Sequence, residues 1–143
     1  YTLVMKTHKK NIFIQDSGIF YNEFVVCTGI SAEELKEYAK AEKLNKNFFK
    51  FIFDECEYQK PEQRMAYTYS NAESNIVYLV SFPDFEDTWD FWNHVLHEVV
   101  HVVQANERKS GLFKEDEARA YLTEYLFTNI RRKLMSGKYK FVK

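Results

Sequence analysis

Apolar positions along this chain recur with two different periods, and the switch between them separates strands from helices. Residues 11–15 and 19–26 are short runs rich in Ile, Val and Phe, side chains that suit a pleated surface. Asp16, Ser17 and Gly18 between them are a turn signal, so the two runs predict an antiparallel hairpin that ends at Gly29. Ser31 and Glu34 have capping-box spacing, and Leu35, Tyr38 and Ala39 continue a helix behind them. The cluster Phe48, Phe49, Phe51, Ile52 and Phe53 suits a strand or a buried helical turn equally well, and reads as core. Residues 65–69 and 76–82 alternate again and predict a second hairpin across the polar stretch 70–75. Pro83 stops it, and residues 131–143 read as a basic helix end and a frayed tail.

Two long helical patterns dominate the second half. Residues 89–104 carry Phe91, Trp92, Val95, Leu96, Val99, Val100, Val102 and Val103, enough to predict a central buried helix capped by Asp84 or Asp87. Residues 106–114, with Ser110 and Gly111, should break it. A second helix then runs from about 114 to 135 on a stripe of Ala118, Tyr121, Leu122, Tyr125, Leu126 and Ile130, with Ala120 small enough for close helix approach. The pattern implies one α+β domain over residues 1–143, a small antiparallel sheet packed on a buried helix followed by a partner helix.

Composition narrows the picture without redirecting it. A chain of 143 residues, 45% hydrophobic and 17% aromatic, builds one globular core, and a net charge of −1 gives no general pull toward nucleic acid or anionic membrane. No apolar run approaches the roughly 20 residues that span a bilayer, and no basic segment with an apolar core marks secretion, so no membrane partner and a cytoplasmic location are expected. Cys27 and Cys56 lack metal-site spacing and are expected as reduced, partly buried thiols.

The chemistry sits in the long apolar helix, at His97-Glu98-Val99-Val100-His101. Residues four apart on a helix lie one above the other, so two imidazoles can address one point. A catalytic Zn²⁺ takes three protein ligands of this type and keeps a fourth position for water. Glu98, beside the first ligand, is placed to act as general base. His94 falls near the same face, but three ligands over two turns of one helix converge poorly, so it reads as structural or as a partner to a ligand. A third ligand has to come from the next helix, where Glu117 lies at the edge of the apolar stripe. Glu124 is its main rival, and Glu115 and Asp116 are weaker ones.

The HEVVH motif followed by Glu117-Ala118-Arg119-Ala120-Tyr121-Leu122 resembles the zincin metallopeptidase superfamily in its gluzincin form, and more narrowly small phage- or prophage-encoded zincin-like proteins. The resemblance covers roughly residues 76–130. It implies zinc held by His97, His101 and Glu117, Glu98 as base, a peptide or protein substrate of restricted range, and a bacterial or phage-infected cytoplasm. It also implies substrate pairing along an edge strand, here expected at 76–82. Besides the metal pair only His8 and His94 remain, so the family's oxyanion-stabilising histidine has no counterpart, and Tyr67, Tyr69, Tyr78 and Tyr121 become candidates for that role. Two other readings compete: a zincin-like binding module without turnover, and nucleic-acid association through the six Lys or Arg of residues 131–143. The latter ranks lowest, because only Tyr139 and Phe141 interleave with the basic residues.

Overall fold

β1 (Asn11–Asp16) and β2 (Glu23–Thr28) form the expected antiparallel pair, in register from Asn11 opposite Thr28 to Asp16 opposite Glu23. The computed structural model describes residues 7–18, 22–60, 65–111 and 116–142. The second strand therefore starts later than its apolar run suggests, and residues 19–21 lie outside the described ones. β3 (Tyr67–Asn71) and β4 (Ile76–Phe82) make the second antiparallel pair.

The two hairpins join into one sheet of order β1-β2-β4-β3, and the joint is parallel, with Val25 opposite Leu79 and Thr28 opposite Phe82. The sheet is thus mixed rather than antiparallel. The physical reason lies in β2 and β4, which carry apolar residues on both faces and are covered on both. Phe24 and Val26 enter one core with the long helices, while Val25 and Cys27 enter a second core on the opposite face. The same arrangement puts β4 inside the sheet, so the edge expected at residues 76–82 is β3 instead.

The second core is closed by α1 (Ala32–Ala41) and by α2 (Lys46–Phe49), which continues into a π-helical turn, Lys50–Glu55. The ambiguous phenylalanine cluster is therefore helical, with Phe51 stacked on Tyr78 at 4.7 Å. Ser31 and Glu34 form the capping box at the start of α1. Gly29, at φ +63°, carries the chain out of β2, where a Cβ would come within 2.2 Å of Asp84 Oδ1.

On the other face lie α3 (Trp89–Ser110) and α4 (Asp116–Ser136). The cap of α3 is Thr88, whose hydroxyl accepts from the Phe91 amide at 3.3 Å, and not either aspartate. Asp87 accepts instead from the Trp92 indole at 2.7 Å. The helix persists through residues 106–110 and ends at Gly111 in a left-handed cap. α4 returns antiparallel to it, since Trp92 meets Phe127 and Arg131 while Glu107 pairs with Arg119. The seam uses Leu122, Leu126, Ile130 and Leu134; Tyr121 of the expected stripe faces outward, and so does Ala120, expected where the helices approach.

Residues 138–142 are docked rather than frayed. Ile12 N–H donates to Tyr139 O and Phe141 N–H to Lys10 O, both at 2.9 Å, along the outer edge of β1. Lys133 reaches back to Gln15 Oε1 at 3.0 Å, and burial lowers its pKa. Among the described residues no helix is long and apolar enough to cross a membrane.

Candidate metal centre

One face of α3 rests on the sheet through Val95, Val99, Val102 and Val103, and the opposite face carries His97, His101, Gln104 and Arg108. The expectation of histidines enclosed in a buried helix is therefore corrected: both rings lie on the exposed side, and the helix also shows Leu96 and Val100 to solvent. Glu98 alone of the motif's ionisable groups is buried, at 5% exposure. Its position on the helix turns it toward β3.

The two rings converge as the spacing demands. His97 Nε2 and His101 Nε2 lie 3.2 Å apart, with the ring planes at 77°. A tetrahedral ion holding two imidazoles at about 2.0–2.1 Å separates their nitrogens by about 3.3–3.4 Å, so the pair fits zinc almost without adjustment. Gln104 Oε1 accepts from His101 Nδ1 at 3.1 Å, which leaves the Nε2 lone pair facing the shared point. With His101 Nε2 unprotonated, His97 Nε2 is the donor across that gap, so a cation held by this pair would take the place of the shared proton.

Glu98 is fixed by a residue that the sequence does not reveal. Thr68, on β3, donates its hydroxyl to Glu98 Oε2 at 2.5 Å and approaches the Glu98 carbonyl oxygen at 3.4 Å. The hydroxyl engages one carboxylate oxygen and leaves the other available. A β-bulge follows one residue along, where Tyr69 pairs with Leu79 but Ser70 pairs with Val77, leaving Tyr78 without an opposite number. Ala66, Tyr67, Thr68 and Ser70 from the β3 side and His97, Glu98, His101 and Arg108 from α3 enclose a cleft of about 330 Å³.

Glu117 lies on the exposed side of the first turn of α4, outside the lining of this cleft, and makes no hydrogen bond or ion pair among the described residues. Glu124 is likewise exposed, as is Asp116, and Glu115 is outside the described residues. Among the described residues no three His, Cys, Asp or Glu side chains come together as a metal-holding group. The structure thus brings His97, His101 and Glu98 to one cleft and leaves Glu117, the expected third ligand, apart from them. His94 is half-buried and does not line the cleft.

Of the four tyrosines considered for oxyanion stabilisation, Tyr67 alone borders the cleft, but its ring packs 4.8 Å from that of Tyr69, on the face of β3 opposite Thr68. Tyr69 is buried in the opposite core, where burial raises its phenol pKa. Tyr78 is held on Phe51, and Tyr121 faces outward from α4. No family model matches the chain, and no curated protein and no solved structure is significantly similar to it.

Proposed function

We propose that this protein is a zinc-dependent metallopeptidase acting on a restricted set of protein substrates, with His97 and His101 as metal ligands and Glu98 as general base. The observation that carries the reading is the pairing of two imidazole nitrogens 3.2 Å apart with a carboxylate held at the same cleft wall. A helix needs no two histidines aimed at one another on its exposed face for packing. Glu117 is the third ligand in this reading on the strength of the resemblance and of its uncommitted carboxylate, and it would have to move toward the cleft to bind.

When bound, zinc would polarise a substrate carbonyl and lower the pKa of water toward about 7. The chain's own groups supply the rest. β3 offers a sheet edge along which an extended peptide pairs by main-chain hydrogen bonds, bringing one carbonyl to the cleft. Glu98 takes a proton from the attacking water as the carbon–oxygen bond forms, then passes it to the departing nitrogen as the peptide bond breaks. Thr68 keeps that carboxylate pointed into the cleft throughout.

The deciding experiment compares zinc content and peptide hydrolysis for the wild type, Glu98→Gln, His97→Ala and Glu117→Ala. One zinc per chain, retained in Glu98→Gln with turnover abolished and lost in His97→Ala, is the expected result. Loss in Glu117→Ala would assign the third ligand. A wild type that takes up no zinc when supplied with it would overturn the reading. The separation of Glu117 from the cleft favours one alternative, a zincin-like module that binds protein without cutting it, and bound zinc with no hydrolysis of any protein would select it.

A further inference from the structure

Arg108 stands at the far end of the same cleft, and the structure gives it the properties of a recognition residue. It is the one cation among the described residues that line the cleft. Its Nε donates to Asn75 Oδ1 at 2.9 Å, which ties the guanidinium to the turn between β3 and β4. Asn75 is itself held, in a left-handed conformation at φ 55° with its amide donating to Asn71 O at 2.8 Å. That bond engages only Nε and sets the guanidinium orientation, so both terminal amino groups remain available for an end-on, two-point contact. No carboxylate among the described residues neutralises Arg108, because neighbouring Glu107 is taken by Arg119.

We propose that Arg108 selects substrates by binding a carboxylate on the peptide about three residues from the bond that is cut. The inference rests on reading the cleft as a peptide site. From His101 to Arg108 the helix advances about 10 Å at roughly 1.5 Å per residue, and an extended peptide covers that in about three residues at roughly 3.3 Å each. The direction also follows. β3 runs from Thr68, beside Glu98, toward the turn that holds Arg108, so it points the same way as α3. A peptide pairing antiparallel with β3 passes Arg108 before it reaches Glu98, which places an acidic side chain on the N-terminal side of the scissile bond. The same guanidinium would accept a free C-terminal carboxylate from a peptide lying parallel to β3. Both sources present one chemistry, and they differ in peptide direction.

The test is fluorescence anisotropy with three labelled peptide mixtures of randomised sequence, titrated with the 143-residue Glu98→Gln protein so that the peptides stay intact. The first has Glu fixed at one internal position and an amidated C-terminus, the second has Gln there and is amidated, and the third has Gln and a free C-terminus. Expected is about five- to tenfold tighter binding of a carboxylate-bearing mixture over the amidated Gln mixture. The first mixture winning identifies the side chain, and the third identifies the terminus. Adding Arg108→Gln should erase the preference, and Arg108→Lys should restore only part of it, since the point charge returns without the fork. Absence of any difference between mixtures, from equal binding or from none, overturns the inference, as does a preference that survives Arg108→Gln. A carboxylate preference in a protein whose zinc-loaded wild type cuts nothing upholds the role of Arg108 and rejects peptidase activity alone.

Discussion

At the scale of single residues the site depends on a division of labour on one helix turn. His97 and His101 look outward and Glu98 looks sideways into the sheet edge, because successive helix positions are offset by about 100°. Only the outward pair can reach an ion, and only the sideways carboxylate can be gripped by a strand. Thr68 makes that grip with a single hydroxyl. Thr68→Val keeps the side-chain volume and removes the donor, so Glu98 should lose its fixed orientation. Zinc content should stay at the wild-type level while kcat falls about tenfold, as expected for losing the placement of a base. Metal analysis beside steady-state kinetics checks this, and loss of zinc in the variant would assign Thr68 to the ligand sphere instead.

At the scale of elements, the clearest device is the start of α1. Ser31 Oγ accepts from the Glu34 amide at 3.2 Å, and the Ser31 amide donates to Glu34 Oε1 at 3.1 Å. Lys10 adds a third contact, with its Nζ 3.0 Å from Glu34 Oε1. Burial pushes the Glu34 carboxyl up, but the bonds from Ser31 and Lys10 outweigh it and hold the pKa below the ordinary value. A carboxyl depressed in the folded state adds stability that is complete above its unfolded pKa and is lost as pH falls through its folded one. Thermal melts from pH 6 to pH 3 should therefore show the wild type losing more of its Tm than Glu34→Gln does. At neutral pH Ser31→Ala should cost about 1 kcal/mol by denaturant titration. Equal acid sensitivity of wild type and Glu34→Gln would show that this box does not stabilise the fold.

For the whole molecule, the two edges of the sheet are treated differently. The outer edge of β1 is covered by residues 138–142, with Tyr139 tilted against Phe13 at 5.2 Å and Lys133 over both rings. The outer edge of β3 borders the cleft and pairs with no strand among the described residues. An uncovered edge invites pairing with another chain, so covering one and leaving the other confines pairing to the side that holds Glu98. Ending the chain after Gly137 should uncover β1. Expected are a lower Tm and concentration-dependent association by light scattering, with the zinc content of the monomer fraction unchanged. A truncated protein as stable and monodisperse as the full chain would show that the tail is passive. The docking also spreads the basic residues, placing Arg131 on the Trp92 ring and Lys133 against β1 rather than gathering them into one patch.

The same contrast separates what could be read in advance from what could not. Local rules carry over almost intact: the capping box at Ser31 and Glu34, the hairpin pairs, the stop at Gly111 and the convergence of His97 and His101 all depend on residues within a few positions of each other. Tertiary packing decided everything that joins distant segments. The parallel pairing of β2 with β4 arises from burial on both faces, which an apolar run of six residues does not disclose. Thr68 lies thirty residues before Glu98, and Arg108 reaches Asn75 across a similar gap, so no periodicity links them. Sequence alone determined that two imidazoles and a carboxylate would share one helix turn, because helix geometry is local. The fold decided which way they face, which strand grips Glu98 and which edge of the sheet stays open beside it, because those follow from the competition of whole apolar faces for burial.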